Sequence, residues 1–118
     1  MITELKHNQV FIFGSNLAGK HVGGAARQAQ EQFKAKEGIG GGLTGKCYAF
    51  PTLDESFEQL TVGGLRKSRD NLYKCCRDNP DKTFLLTKVG CGIAGYPEEQ
   101  IKSLFISSPD NLVKPKDW

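Results

Sequence analysis

Gln9-Val10-Phe11-Ile12-Phe13-Gly14-Ser15-Asn16-Leu17-Ala18-Gly19-Lys20-His21-Val22-Gly23-Gly24 is the stretch on which the fold turns. Its first five residues form a near-continuous apolar run of the kind that suits a strand covered on both faces, and Gly14 ends it. The glycines that follow lead into a helical pattern, predicted from about Val22 to Lys36. Ala25, Ala26, Ala29 and Phe33 share one stripe of that helix, while Arg27, Gln30, Glu31 and Lys34 turn to water. A second turn repeats the layout late in the chain, where Thr83-Phe84-Leu85-Leu86-Thr87-Lys88-Val89 reads as a strand and Gly90-Cys91-Gly92-Ile93-Ala94-Gly95-Tyr96-Pro97 follows it. Pro97 with Glu98 and Glu99 opens a last helix to about Phe105.

Between these two units, Lys46-Cys47-Tyr48-Ala49-Phe50 reads as another strand, with Pro51 as its stop. An amphipathic helix from about Thr61 to Arg77 follows, with Val62, Leu65, Arg69, Leu72, Tyr73 and Cys76 at three- and four-residue steps. Gly38-Ile39-Gly40-Gly41-Gly42 carries no pattern strong enough to assign. Strands near 10, 47 and 84 separated by helices imply right-handed crossovers and a mostly parallel sheet in a compact three-layer α/β/α arrangement. The expectation is a single domain over 1–118, with about 107–118 either a tail or docked through Leu112, Val113 and Trp118.

Parallel strands put their carboxyl ends on one edge, so the two glycine-rich turns can line one crevice there. Backbone amides and helix N-termini in such a crevice favour an anion. Sixteen basic against thirteen acidic side chains leave +3, short of the dense basic footprint of a dedicated nucleic-acid binder but compatible with a small anionic ligand. The four cysteines, at 47, 75, 76 and 91, show no Cys-x-x-Cys pair and no nearby histidine pair, so neither a structural metal nor a disulfide framework is expected. Free thiols, and a sequence with neither a signal-length apolar start nor a membrane-length apolar run, read as a cytoplasmic protein without a membrane partner.

Gly90-x-Gly92-x-x-Gly95 matches a dinucleotide fingerprint, yet no acidic residue follows in a second strand-helix unit to hold a ribose. It therefore reads as an anion-holding turn, the alternative being a tight turn alone. Gly14-x-x-x-x-Gly19-Lys20 approaches a P-loop, but His21 stands where the magnesium-binding hydroxyl belongs, which disfavours an ATPase. Asn16 can both donate and accept, which suits ribose hydroxyls or an attacking water, or equally a turn cap. Asp54, Glu55 and Glu58 offer a general base or else a solvated loop face, His21 a titrating group or a solvated side chain. Cys91, between two glycines, is a thiol whose pKa an anion site would lower, or a packing residue.

Val10 to His21, Tyr48-Ala49-Phe50-Pro51-Thr52 and Thr87 to Tyr96 together resemble a family of small proteins of bacteria and their phages, similar in segment order to compact macro domains. The resemblance spans about residues 9–106. It implies binding of ADP-ribose or a related nucleotide, with hydrolysis of an ADP-ribosyl linkage on a macromolecule as the favoured activity and a non-enzymatic module that binds or sequesters a nucleotide signal as the alternative. No further cofactor is implied. By this resemblance Asn16 lies near the distal ribose, Gly23-Gly24-Ala25 form the catalytic loop, and Gly90, Cys91, Gly92, Ile93, Ala94, Gly95 and Tyr96 hold the diphosphate, with Gly14, Ser15 and Thr52 as further ligand-binding residues. Asn16, His21 and Asp54 are the catalytic candidates. Phe50-Pro51-Thr52 is similar to a segment of the branch that reverses DNA ADP-ribosylation, where lysine commonly follows the threonine; Leu53 stands there here, which bears against lysine-assisted hydrolysis. The Gly-Asp element whose aspartate contacts adenine in macro domains has no counterpart before Val10, where Glu4 is the only acid.

Overall fold

The computed structural model describes residues 2–21 and 23–118. β1 (Gln9–Asn16) is central in a five-stranded sheet of order β2-β3-β1-β4-β5. β3 (Cys47–Leu53) and β4 (Thr83–Leu86) flank it in parallel, β5 (Leu112–Val113) continues the parallel set beyond β4, and β2 (Gly42–Thr44) adds an antiparallel edge to β3. Over the described residues the chain is thus an α/β protein with a mostly parallel sheet and three helices: α1 (Gly24–Phe33), α2 (Val62–Asp78) and α3 (Glu98–Leu104).

Alternation along β1 sends its side chains into two cores. Phe11 and Phe13 pack with Ala29 and Phe33 of α1 and with Cys47 and Ala49 of β3. Val10 and Ile12 point the other way, into a larger cluster with Leu65, Leu72 and Tyr73 of α2, Ile101 and Leu104 of α3, and Phe84. Burial from both sides explains why β1 lacks the polar alternation of a half-exposed strand.

Several boundaries differ from the sequence expectation. β1 runs on past Gly14 to Asn16, with a register shift at Ser15/Asn16 that sets Asn16 opposite Leu53. β3 passes through Pro51, because β2 ends opposite Ala49 and leaves Pro51 with a neighbour on one side only. β2 itself emerges from the glycine-rich connection by a two-residue turn at Gly45-Lys46. The expected start of α1 at Val22 lies outside the described residues. Its end comes at Phe33 rather than Lys36, since Lys34 adopts left-handed backbone (φ 65°) and Ala35 N–H donates to Ala29 O at 3.0 Å. α2 begins as expected, with Thr61 Oγ1 accepting from Gly64 N–H at 3.1 Å.

β4 leaves the sheet at Leu86, three residues early. Thr87 Oγ1 instead donates to Ile12 O at 2.7 Å, so β1 and β4 part beyond that point. The loop after β1 leads to α1 on one face and the loop after β4 to α3 on the other, which opens a crevice between them at the carboxyl edge. Residues 107–118 are fastened to the body. Leu112 and Val113 pair with Phe84 and Leu85, and the Trp118 ring stacks on Phe105 with centroids 6.1 Å apart. No helix of the described residues is long and apolar enough to cross a membrane.

Candidate functional site

A cavity of about 270 Å³ occupies this crevice. Gly14, Ser15 and Asn16 from the end of β1 form one wall, and Gly23, Gly24 and Ala25 at the start of α1 form another. Thr52 contributes from β3, and Gly90, Gly92, Ile93 and Ala94 close it from the turn after β4. The two glycine-rich turns touch directly. A Cβ built on Gly14 would stand 3.3 Å from Gly90 N, and one on Gly23 would stand 3.4 Å from Ile93 Cδ1.

The turn after β4 brings main-chain donors to the cavity. In the turn after β4, Gly95 N–H donates to Gly92 O at 3.0 Å and Tyr96 N–H to Gly90 O at 2.9 Å. The N–H groups of Gly92, Ile93 and Ala94 between them make no hydrogen bond among the described residues. Successive free amides in a turn form a concavity that suits an anion. α1 adds to this: Gly23 at its N-cap supplies no side-chain acceptor, and no acid occupies its first turn, so its leading N–H groups are left for solvent or a ligand. Lys20 and Lys88 also line the cavity, and among the described residues no carboxylate does.

Gly90 makes the turn possible. Its φ of 78° is left-handed, and a Cβ there would come 2.9 Å from Tyr96 Cδ2. Tyr96 is correspondingly a structural pin rather than a wall of the cavity. Its ring is buried, and its hydroxyl lies 2.8 Å from Thr52 O and 3.0 Å from Leu60 O, donating its one proton to either. Burial raises its phenol pKa. Gly95 and Cys91 also stand outside the lining. The Cys91 sulfur packs against the larger core and approaches Val89 O at 3.6 Å, and burial raises its thiol pKa, the reverse of an anion-site thiol.

The three catalytic candidates meet different fates. Asn16 lines the cavity, but its carboxamide is tied to one backbone unit: Nδ2 donates to Lys20 O at 2.8 Å and Oδ1 accepts from Lys20 N–H at 3.1 Å. One hydrogen of Nδ2 and one lone pair of Oδ1 remain for a ligand. Asp54 is away from the cavity, where Oδ1 caps its own loop by accepting from Ser56 N–H at 2.8 Å and Glu58 N–H at 3.0 Å. His21 is not solvated but 7% exposed, edge-on to Phe13 with ring centroids 5.2 Å apart, and neither ring nitrogen finds a partner among the described residues. Both leave the cavity without an imidazole or carboxylate base.

Ser15 and Thr52 hold the site together instead of reaching into it with free hydroxyls. Ser15 Oγ donates to Gly40 O, and Thr52 Oγ1 donates to Ser15 O at 3.2 Å. Sequence reasoning did not single out Thr87 and Lys88. Their signal was positional, since both directly precede Val89-Gly90 at the carboxyl end of the third expected strand. Lys88 Nζ lies 2.9 Å from Glu98 Oε1 and 3.0 Å from Asp117 Oδ2. Glu98 and then Asp117, bonded to the ammonium, raise the Lys88 pKa; the Trp118 indole and Lys88 lower that of Glu98, and Lys88 that of Asp117.

Among the described residues no group of three His, Cys, Asp or Glu is gathered in a way that could hold a metal ion. Compared with models of protein families, with curated proteins and with solved structures, the chain matches none.

Proposed function

We propose that this chain is a macro-domain-like module, three-layered with helices on both faces of its sheet, that binds ADP-ribose or a related nucleotide through its diphosphate. The observation that carries this reading is that Gly92, Ile93 and Ala94, whose N–H groups have no partner among the described residues, line a cavity with the start of α1, and that no carboxylate of the described residues lines it. Main-chain amides converging from two elements bind phosphate oxygens without depending on side-chain rotamers.

The cavity, at about 270 Å³, is at the lower limit of ligand pockets, roughly 300 Å³ upward. On this reading it takes the ribose-diphosphate part of the ligand. A shallow groove of about 530 Å³ adjoins it, sharing Ala25, Thr87 and Lys88, with Phe11, Leu85 and Val113 among its apolar lining. A planar base fits there by apolar contact, without the upstream aspartate of macro domains.

Binding is favoured over hydrolysis of an ADP-ribosyl linkage. A hydrolase needs a group that takes a proton from water within hydrogen-bond reach, whereas the cavity offers the half-committed carboxamide of Asn16. The test is thermal melting with ADP-ribose, NAD and inorganic pyrophosphate, followed by incubation with ADP-ribosylated protein and DNA. A ligand at a hundred times its Kd stabilises the native state by about 2.7 kcal/mol, a rise of several degrees for a domain of this size. No shift with any diphosphate overturns the binding reading, and release of ADP-ribose from either macromolecule overturns the preference for binding over turnover.

A further inference from the structure

Lys88 lines the cavity and, by its ion pairs, ties it to Asp117. Its ammonium is shared between Glu98, in the first turn of α3, and Asp117. The same Glu98 Oε1 accepts from the Trp118 indole N–H at 3.0 Å, and the indole stacks on Phe105. Lys88 thus lines the cavity while its ammonium is held by two carboxylates that do not.

Both carboxylates compete with an anionic ligand for that ammonium. The side chains concerned are 40% to 63% exposed, and exposed ion pairs of this kind are weak and easily exchanged. A diphosphate in the adjoining cavity brings more negative charge to the ammonium than one carboxylate does. It exchanges most readily with Asp117, which reaches Lys88 from 29 residues away, while Glu98 is fixed in α3.

Resting on the diphosphate reading above, we propose that Lys88 is a phosphate-binding residue for which Asp117 competes, so that filling the cavity frees the 114–118 segment from Lys88. Trp118, the only tryptophan of the chain, then reports the exchange, because its neighbour Asp117 moves and its hydrogen bond to Glu98 is rearranged.

The experiment titrates ADP-ribose and inorganic pyrophosphate into the wild type, Asp117→Asn and Lys88→Met, reading heat and tryptophan emission together. Removing the competing charge tightens binding by about two- to fivefold at low salt, and the gain vanishes near 1 M salt as screening shortens to about 3 Å. Lys88→Met weakens binding by about fivefold or more. In the wild type the emission change follows the heat, and unliganded Asp117→Asn already shows part of it. Binding by the wild type with unchanged emission, or with equal or weaker affinity in Asp117→Asn, overturns the competition and leaves the diphosphate site standing. A wild type that binds neither probe overturns both.

Discussion

Replacing Gly92 by glutamate tests the site by charge alone. Gly92 is exposed, its φ lies outside the left-handed region, and a Cβ built there meets nothing within 4 Å. A side chain is therefore accommodated without strain, and surface changes of this kind alter stability by less than about 0.5 kcal/mol, a Tm change of about 2 °C. Its carboxylate stands beside the free amides of Ile93 and Ala94. Like unit charges at about 4 to 6 Å repel by about 1 kcal/mol in water and by about 3 to 4 kcal/mol at the effective dielectric of a protein surface. The affinity for ADP-ribose should fall by about fivefold to a few hundredfold, since each 1.4 kcal/mol is about tenfold. Gly92→Gln has nearly the same shape without the charge and should lose much less. Calorimetric titration of both variants, with melting curves to confirm the fold, isolates the electrostatic part. Equal affinities for Glu and Gln would refute an anion at this turn, whatever else binds there.

His21→Leu removes a buried ring whose two nitrogens have no partner among the described residues, so the native state should be unchanged or more stable by up to about 2 kcal/mol. ADP-ribose affinity should stay within about twofold; loss of binding with the fold intact would return His21 to the site. Burial pushes the Cys47 and Cys76 thiols up to about 12, and iodoacetamide mapping by mass spectrometry should find Cys75 and Cys91 alkylated first in the native chain. Early modification of Cys47 or Cys76 would show that the core opens. For acid pH the sign follows from Glu98 and Asp117, whose pKa values are lowered in the folded chain. Their contribution is complete above the usual carboxylate range and is lost as pH falls through the depressed values. Trp118 emission should therefore stay flat across neutral pH and change only in strong acid, and a transition near neutrality would contradict the Lys88 tie.

The parallel order of β1, β3 and β4 was legible because buried strands leave runs such as Val10-Phe11-Ile12-Phe13, and because the helices between them carry clear stripes. Their ends were less so. A helix stops where an αL residue lets the chain turn, and at Lys34 that residue is not glycine, so nothing in the local pattern distinguishes it from the residues before it. Pro51 misled for the opposite reason. Its missing N–H breaks a strand only where a neighbour needs it, and the length of β2 is not written near position 51. β5 has two residues, too few for any periodicity, and it forms because Phe84 and Leu85 offer an open edge.

The site divides along a similar line. The two glycine-rich turns were legible as turns, and their Gly14, Gly23, Gly24, Gly90 and Gly92 line one cavity, whereas Gly19 and Gly95 do not. Side-chain roles depend on what each polar group has already met, which spacing does not encode. Asn16 meets Lys20, Asp54 meets its own loop, Tyr96 meets Thr52 and Leu60, and His21 meets Phe13. Each has the chemistry that made it a candidate, and in each that chemistry is partly or wholly engaged or shielded by the fold. Lys88 presents the converse. It lies in an apolar strand pattern where lysine is expected only to reach solvent, yet the early departure of β4 at Leu86 brings it to the cavity and to Asp117. On the proposed reading, recognition thus falls to main-chain amides held in place by side chains, and the ion pairs of Lys88 beside the cavity depend on a segment distant in sequence.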